Sequence, residues 1–169
     1  LFGDGAGACV VTGTTEPRGL LASKLFSDGS LYKLLYMDSA PSMNKELASQ
    51  DNDGSYIKMA GRDVFKYAVR SMDVAIMNVL EQVHVPIEDI SLIIPHQANI
   101  RILKSLRDRL GVASEKIYIN VDKYGNTSAA SIPIALDEAN REGRIKSGDL
   151  VLLCAFGGGF TWGASLFQW

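Results

Sequence analysis

The chain has 169 residues, 47% hydrophobic and 21% charged, with a formal net charge of −2. That length and apolar content suit one compact folded unit and argue against disorder. The balance of charge gives no reason to expect nucleic acid, and no segment approaches the uninterrupted apolar length of a membrane span, so a protein of the cytoplasm is expected.

The chain opens without an initiator methionine at Leu1-Phe2-Gly3-Asp4, in mid-pattern, which suggests that something precedes it. Gly3-Asp4-Gly5-Ala6-Gly7-Ala8, with Asp28 about twenty residues on, satisfies the dinucleotide fingerprint G-x-G-x-x-A. It comes before an expected strand, whereas nucleotide binding needs the glycines after one, so the match is discounted. Residues 9–12 and 19–26 are short apolar runs bounded by Gly, Pro and Thr, and they read as two strands joined by a turn at Glu16-Pro17-Arg18-Gly19. Cys9 and Cys154 both lie in such apolar runs, where a buried free thiol is commoner than a disulfide, in keeping with a reducing compartment. Residues 28–60 are rich in Gly, Ser, Asp and Asn and read as a surface excursion with a short helix near 44–50.

Val64, Phe65, Ala68, Val69, Met72, Ile76, Val79 and Val83 then recur at three and four, which predicts a helix with a broad buried stripe, ended before Pro86. A buried strand at 90–94 follows, and Ile102, Leu103, Leu106 and Leu110 predict a second helix stopped by Gly111. The same grammar repeats as a strand at 116–121, a loop at 122–125, a helix from about Asn126 to Arg141 and a strand at 150–156. A three-glycine turn and a last strand at 163–169 close the chain. Strands alternating with helices imply an α/β fold, a mostly parallel five-stranded sheet with helices on both faces and one antiparallel strand from the final hairpin. Ligands then bind at the carboxyl ends of the strands.

Three junctions follow strands and can face one crevice: Pro95-His96-Gln97-Ala98-Asn99, Tyr124-Gly125-Asn126-Thr127-Ser128-Ala129-Ala130-Ser131, and Phe156-Gly157-Gly158-Gly159-Phe160. At a helix start the dipole disfavours the imidazolium, leaving a neutral His96 with one N–H to donate, and Asn126 adds an amide donor that never titrates. Two such donors on one carbonyl oxygen would stabilise an enolate or oxyanion. A structural reading stays open beside this one: His96 as a cap or core residue, Asn126 as an N-cap, the small-residue runs as packing devices.

The segments from His96 to Arg101, from Gly125 to Ser131, and Ala155-Phe156-Gly157-Gly158-Gly159-Phe160-Thr161-Trp162-Gly163 resemble the C-terminal half of β-ketoacyl-acyl-carrier-protein synthase III, a condensing enzyme of the thiolase-like fold, and the likeness runs from Leu1 to Trp169. The resemblance implies a decarboxylating Claisen condensation that initiates fatty-acid synthesis, in which a short acyl group from acyl-CoA is held on a cysteine and attacked by the carbanion of malonyl-acyl-carrier protein. It assigns His96 and Asn126 to the malonyl thioester carbonyl, Phe156 to the wall beside them and the backbone N–H of Gly158 to the oxyanion hole. Met59, Gly61 and Asn99 are assigned to the pantetheine tunnel, with ordinary packing as the other account of Met59. Gln97, Ala98, Ile100, Arg101 and Lys104 are assigned to docking of the acidic carrier protein, with a solvated helix face as the other account of Arg101 and Lys104.

The resemblance places the nucleophilic cysteine in an N-terminal half outside this chain, and neither Cys9 nor Cys154 precedes an apolar helix start that would lower a thiol pKa, so both are expected in the core. The implied partners are acyl-CoA, malonyl-acyl-carrier protein, that N-terminal half and a second copy in a homodimer. Coenzyme A and the phosphopantetheine arm enter as substrates, with no cofactor and no metal. The alternatives are a relative serving polyketide or other secondary metabolism, and a non-catalytic scaffold or dimer module.

Overall fold

The computed structural model describes residues 1–38 and 56–169; the short helix expected near 44–50 lies outside them. In chain order the elements are β1 (Gly19–Ser27), β2 (Leu35–Tyr36), β3 (Lys58–Met59), α1 (Gly61–Val83), β4 (Leu92–Pro95), α2 (Ile100–Leu110), α3 (Val121–Tyr124), α4 (Ser131–Arg141), β5 (Leu150–Gly157) and β6 (Thr161–Gln168). The main sheet has the order β1-β6-β5-β4, and β2 and β3 form a small antiparallel pair.

Alternation along β4 and β5 decides the layers. Ile93, Leu152, Cys154 and Phe156 point to one face and join the cluster built on Ala68, Met72, Ile76 and Val79 of α1. Leu92, Ile94 and Val151 point to the other and pack with Ala135 and Ala139 of α4. Helices therefore cover both faces, as expected for an α/β sheet. α2 packs on α1, starts at the cap Asn99, whose Oδ1 accepts the Arg101 N–H at 2.8 Å, and ends at Gly111 in the left-handed region with φ 66°.

The strand count and direction need correction. The main sheet has four strands, and only β4 and β5 run parallel; β5–β6 and β1–β6 are antiparallel. The strand expected at 116–121 forms a single parallel bridge, Ile93 with Ile117, plus the Tyr118 N–H to Ile93 carbonyl bond, before the chain turns into α3. The expected strand at 9–12 has no partner among the described residues: Val10 and Val11 are 94% and 90% exposed, and β1 pairs instead with β6. Cys9 is exposed with them, which corrects its expected place in the core, while Cys154 is buried.

The glycines of the discounted fingerprint have a packing role. A Cβ at Gly3 would collide with the Tyr124 carbonyl oxygen, and one at Gly7 with the Pro133 ring, so these residues let the first segment lie against the α3–α4 region. Hydrogen bonds from Gly3 N–H to the Asn126 carbonyl and from Asn126 N–H to the Leu1 carbonyl, each 3.0 Å, complete that contact. From the other side Glu138 of α4 accepts from Asn120 Nδ2 and Lys123 Nζ, each at 2.7 Å. The loop carrying Asn126 is thus held at both ends.

Candidate active site

His96 follows the last residue of β4 and is anchored by its own N–H, which donates to the Cys154 carbonyl at 2.8 Å across the parallel pair. It stands four residues before α2, so the α2 dipole is not what governs its charge. Burial is: removal from water holds the His96 imidazole below its ordinary pKa and favours the neutral ring. The expected neutral form is retained, with desolvation as its cause.

Asn126 lies outside α4, which begins at Ser131, and so is not that helix's N-cap. Its Oδ1 instead accepts the Ser128 N–H at 2.9 Å. An amide oxygen so occupied leaves the Nδ2 group as the free end of the side chain, a donor with two protons.

Phe156 packs against Phe160 with ring centres 4.7 Å apart and planes tilted by 56°, and Phe160 in turn meets Tyr67 of α1 at 5.6 Å. Gly158 follows β5 in the glycine turn, where a Cβ would approach the Leu35 carbonyl oxygen to 3.2 Å. Among the described residues its N–H has no hydrogen-bond partner.

These residues meet in one cavity of about 780 Å³, whose lining includes His96, Asn126, Phe156 and Gly158 together with Met59, Gly61, Ala98, Asn99 and Arg101. Met59 is half-exposed into it from β3, so ordinary core packing does not explain that residue. Asn99 divides its duties, with the oxygen spent on capping α2 and the amide nitrogen left over. His96 also borders a second, open cavity over the sheet surface beside α4, with Leu25, Leu153, Ala155 and Gly163 in its floor.

The docking set divides. Ile100, Arg101 and Lys104 are exposed on α2, and among the described residues neither cation has an ion-pair partner. Ala98 is part-buried and faces the cavity. Gln97 is a correction: it is 1% exposed, and its side chain donates to the carbonyls of Pro95 and Tyr118 at 2.8 and 3.1 Å while accepting the Asn120 N–H at 3.0 Å. It cannot reach a docked protein, and it ties the end of β4 to the chain leading into α3.

Two residues at this site escaped the reading of the sequence. Arg62, in the first turn of α1, lines the cavity with Arg101; only the packing of α1 against α2 brings them together, and nothing local announces it. Ser131 touches His96, and in sequence it is one more small residue in a run suited to close packing. Cys154 is no candidate nucleophile, since full burial pushes its thiol up to about 12.

Residues 80–169 match the family model described as 3-oxoacyl-[acyl-carrier-protein] synthase III C terminal. Over all 169 residues the chain is 57% identical to the β-ketoacyl-[acyl-carrier-protein] synthase III of Desulfotalea psychrophila and 49% identical to that of Aquifex aeolicus, covering 52% and 50% of those proteins. The crystal structure of 3-oxoacyl-[acyl-carrier-protein] synthase III from Aquifex aeolicus superposes with a TM-score of 0.83 at 47% identity, over 94% of this chain and 47% of that one. The chain spans about half the length of the curated relatives it matches.

Proposed function

The chain belongs to the 3-oxoacyl-[acyl-carrier-protein] synthase III C-terminal family, and from that premise we propose that it is the half of a condensing enzyme that generates and steers the malonyl carbanion. The overall reaction is the decarboxylating condensation of a short acyl-CoA with malonyl-acyl-carrier protein, giving a 3-oxoacyl-acyl-carrier protein at the start of fatty-acid synthesis. The observation that carries this reading is the presence of two neutral donors, His96 and Asn126, in the wall of one cavity.

In the proposed sequence, a cysteine thiolate of the partner half attacks acyl-CoA and expels the CoA thiolate. Malonyl-acyl-carrier protein then enters, and its carboxylate–methylene bond breaks. CO₂ leaves, and the electron pair becomes an enolate whose oxygen takes hydrogen bonds from the His96 imidazole N–H and Asn126 Nδ2. The enolate carbon attacks the acyl thioester, the Gly158 N–H holds the developing oxyanion as it does when the acyl group is loaded onto the cysteine, and collapse expels the cysteine thiolate. Decarboxylation itself supplies the carbanion, so this chemistry calls for no metal and no cofactor. Neutral donors suit it, because neither must give up its proton. Met59, Gly61 and Asn99 are the proposed contacts of the pantetheine arm along the cavity.

The partner half is proposed to cover the surface that β1 leaves open. Leu25, 83% exposed, and the unpaired Val10 and Val11 form apolar surface of a kind that folded proteins bury. A homodimer of the completed enzyme and a cytoplasmic location belong to the same proposal. No helix among the described residues is long and apolar enough to cross a membrane.

Arg101 is the proposed docking cation, exposed on α2 at the cavity edge. In the full-length protein, assayed separately for acyl loading and for condensation, Arg101→Glu should raise KM for malonyl-acyl-carrier protein and flatten its salt dependence, with acetyl-CoA loading nearly intact. Equal impairment of both half-reactions would move Arg101 to CoA binding or to the fold, and an unchanged variant would leave it a solvated surface residue.

A further inference from the structure

We infer that Ser131 is a positioning residue that fixes the tautomer of His96 with its proton on Nε2. The inference rests on the proposed role of His96 as a donor, but its geometry stands alone. Ser131 opens α4 and is 2% exposed. Its Oγ lies 2.6 Å from His96 Nδ1 and accepts the backbone N–H of Gln97 at 3.2 Å.

The order of donors follows from what each group can do. A backbone N–H only donates, so Gln97 occupies one lone pair of Oγ. The hydroxyl has a single proton, and among the described residues the only other partner of that oxygen is His96 Nδ1. If Nδ1 carried the ring proton, it would donate to the second lone pair and leave the hydroxyl proton buried with no acceptor, an arrangement that folded proteins avoid. With the hydroxyl proton on the His96 side, Nδ1 accepts, and the neutral ring carries its hydrogen on Nε2. The Cys154 carbonyl anchors the His96 backbone, and the ring's own hydrogen bond goes to the first residue of α4. Asn126 is oriented by a parallel device, the Ser128 N–H on its oxygen. Each donor thus has its accepting atom engaged by a neighbour in residues 128–131 or, for His96, by that segment's last hydroxyl.

The test uses the full-length protein with ¹⁵N-labelled histidine, the His96 signals being assigned by their absence from a His96→Ala sample. The wild type should show an accepting, pyridine-like Nδ1 and a protonated, pyrrole-like Nε2. Ser131→Ala should shift both nitrogens toward the averaged values of exchanging tautomers and lower kcat for condensation by about 10-fold or more, the scale on which a residue that orients a histidine acts. KM for malonyl-acyl-carrier protein and the rate of acyl loading should hold, and Ser131→Thr, which keeps the hydroxyl, should recover both spectrum and kcat. A wild-type ring protonated at Nδ1 would overturn the inference even if Ser131→Ala fails to fold. So would Ser131→Ala with unchanged nitrogen signals. Normal condensation by His96→Ala would instead sink the proposed function and leave the tautomer result standing.

Discussion

In the full-length protein, Asn126→Ala should lower condensation with malonyl-acyl-carrier protein by on the order of 10²-fold or more, with His96→Ala close behind, the usual scale for losing one preorganised donor. Both side chains are held before any substrate arrives. The Ser128 N–H occupies the Asn126 oxygen, and Ser131 and the Cys154 carbonyl fix His96. Little reorganisation accompanies the reaction, so a lost donor is felt in full as lost transition-state stabilisation. The effect should fall on kcat. Loading of the acyl group should suffer less, because that step's oxyanion is assigned to the Gly158 N–H. If both variants condensed normally while failing to accept acetyl from acetyl-CoA, the roles given to the two residues would be reversed.

Gln97→Leu should act on the fold. The glutamine amide satisfies the carbonyls of Pro95 and Tyr118 and the N–H of Asn120 in a site closed to water. Leucine has similar bulk and fills the space, but it leaves at least two buried backbone groups without partners, at about 1–3 kcal/mol each. A stability loss of roughly 2–6 kcal/mol is expected on that basis, read as a lower urea midpoint at unchanged slope. An unchanged midpoint together with a raised KM for the carrier protein would return Gln97 to the docking surface.

Much of the architecture was legible because its signals are local. The apolar spacing from Val64 to Val83 marks α1, Gly111 stops α2 in the conformation that a left-handed cap requires, and the glycine run separates β5 from β6. The misreadings share a cause, which is that a strand is defined by its partner. Ile117, Tyr118 and Ile119 carry strand-like residues, yet the chain meets β4 at one bridge and then leaves it. Residues 9–12 have the same character with nothing among the described residues to pair with, while β1 finds β6 some 140 positions away, as in the Ser23–Ser165 pairing. α4 begins five residues after Asn126, because that loop is bound to Leu1 and Gly3 at the far end of the sequence.

The site was legible in part for the same reasons. His96, Phe156 and Gly158 stand in or just past strand ends, where an α/β sheet gathers its ligands, while Asn126 follows the short helix α3, and the structure places all four around one cavity. Gln97 was misassigned because adjacency to His96 says nothing about which way a side chain points; after β4 it turns inward. Ser131 and Arg62 gave no warning, since Ser131 matters through a contact with His96 made across 35 positions and Arg62 through lining the same cavity as Arg101, far from it in sequence.

The central claim is that this chain supplies the carbanion-stabilising donors while the nucleophile lies outside it. Full-length His96→Ala, incubated first with labelled acetyl-CoA and then with malonyl-acyl-carrier protein, tests that claim in a single preparation by peptide mass spectrometry and CO₂ release. The expected product is a stoichiometric acetyl-cysteine that maps outside residues 1–169, leaves Cys9 and Cys154 unmodified, and persists on addition of malonyl-acyl-carrier protein with little CO₂ evolved. Acetyl on Cys9, or CO₂ release at the wild-type rate, would contradict it.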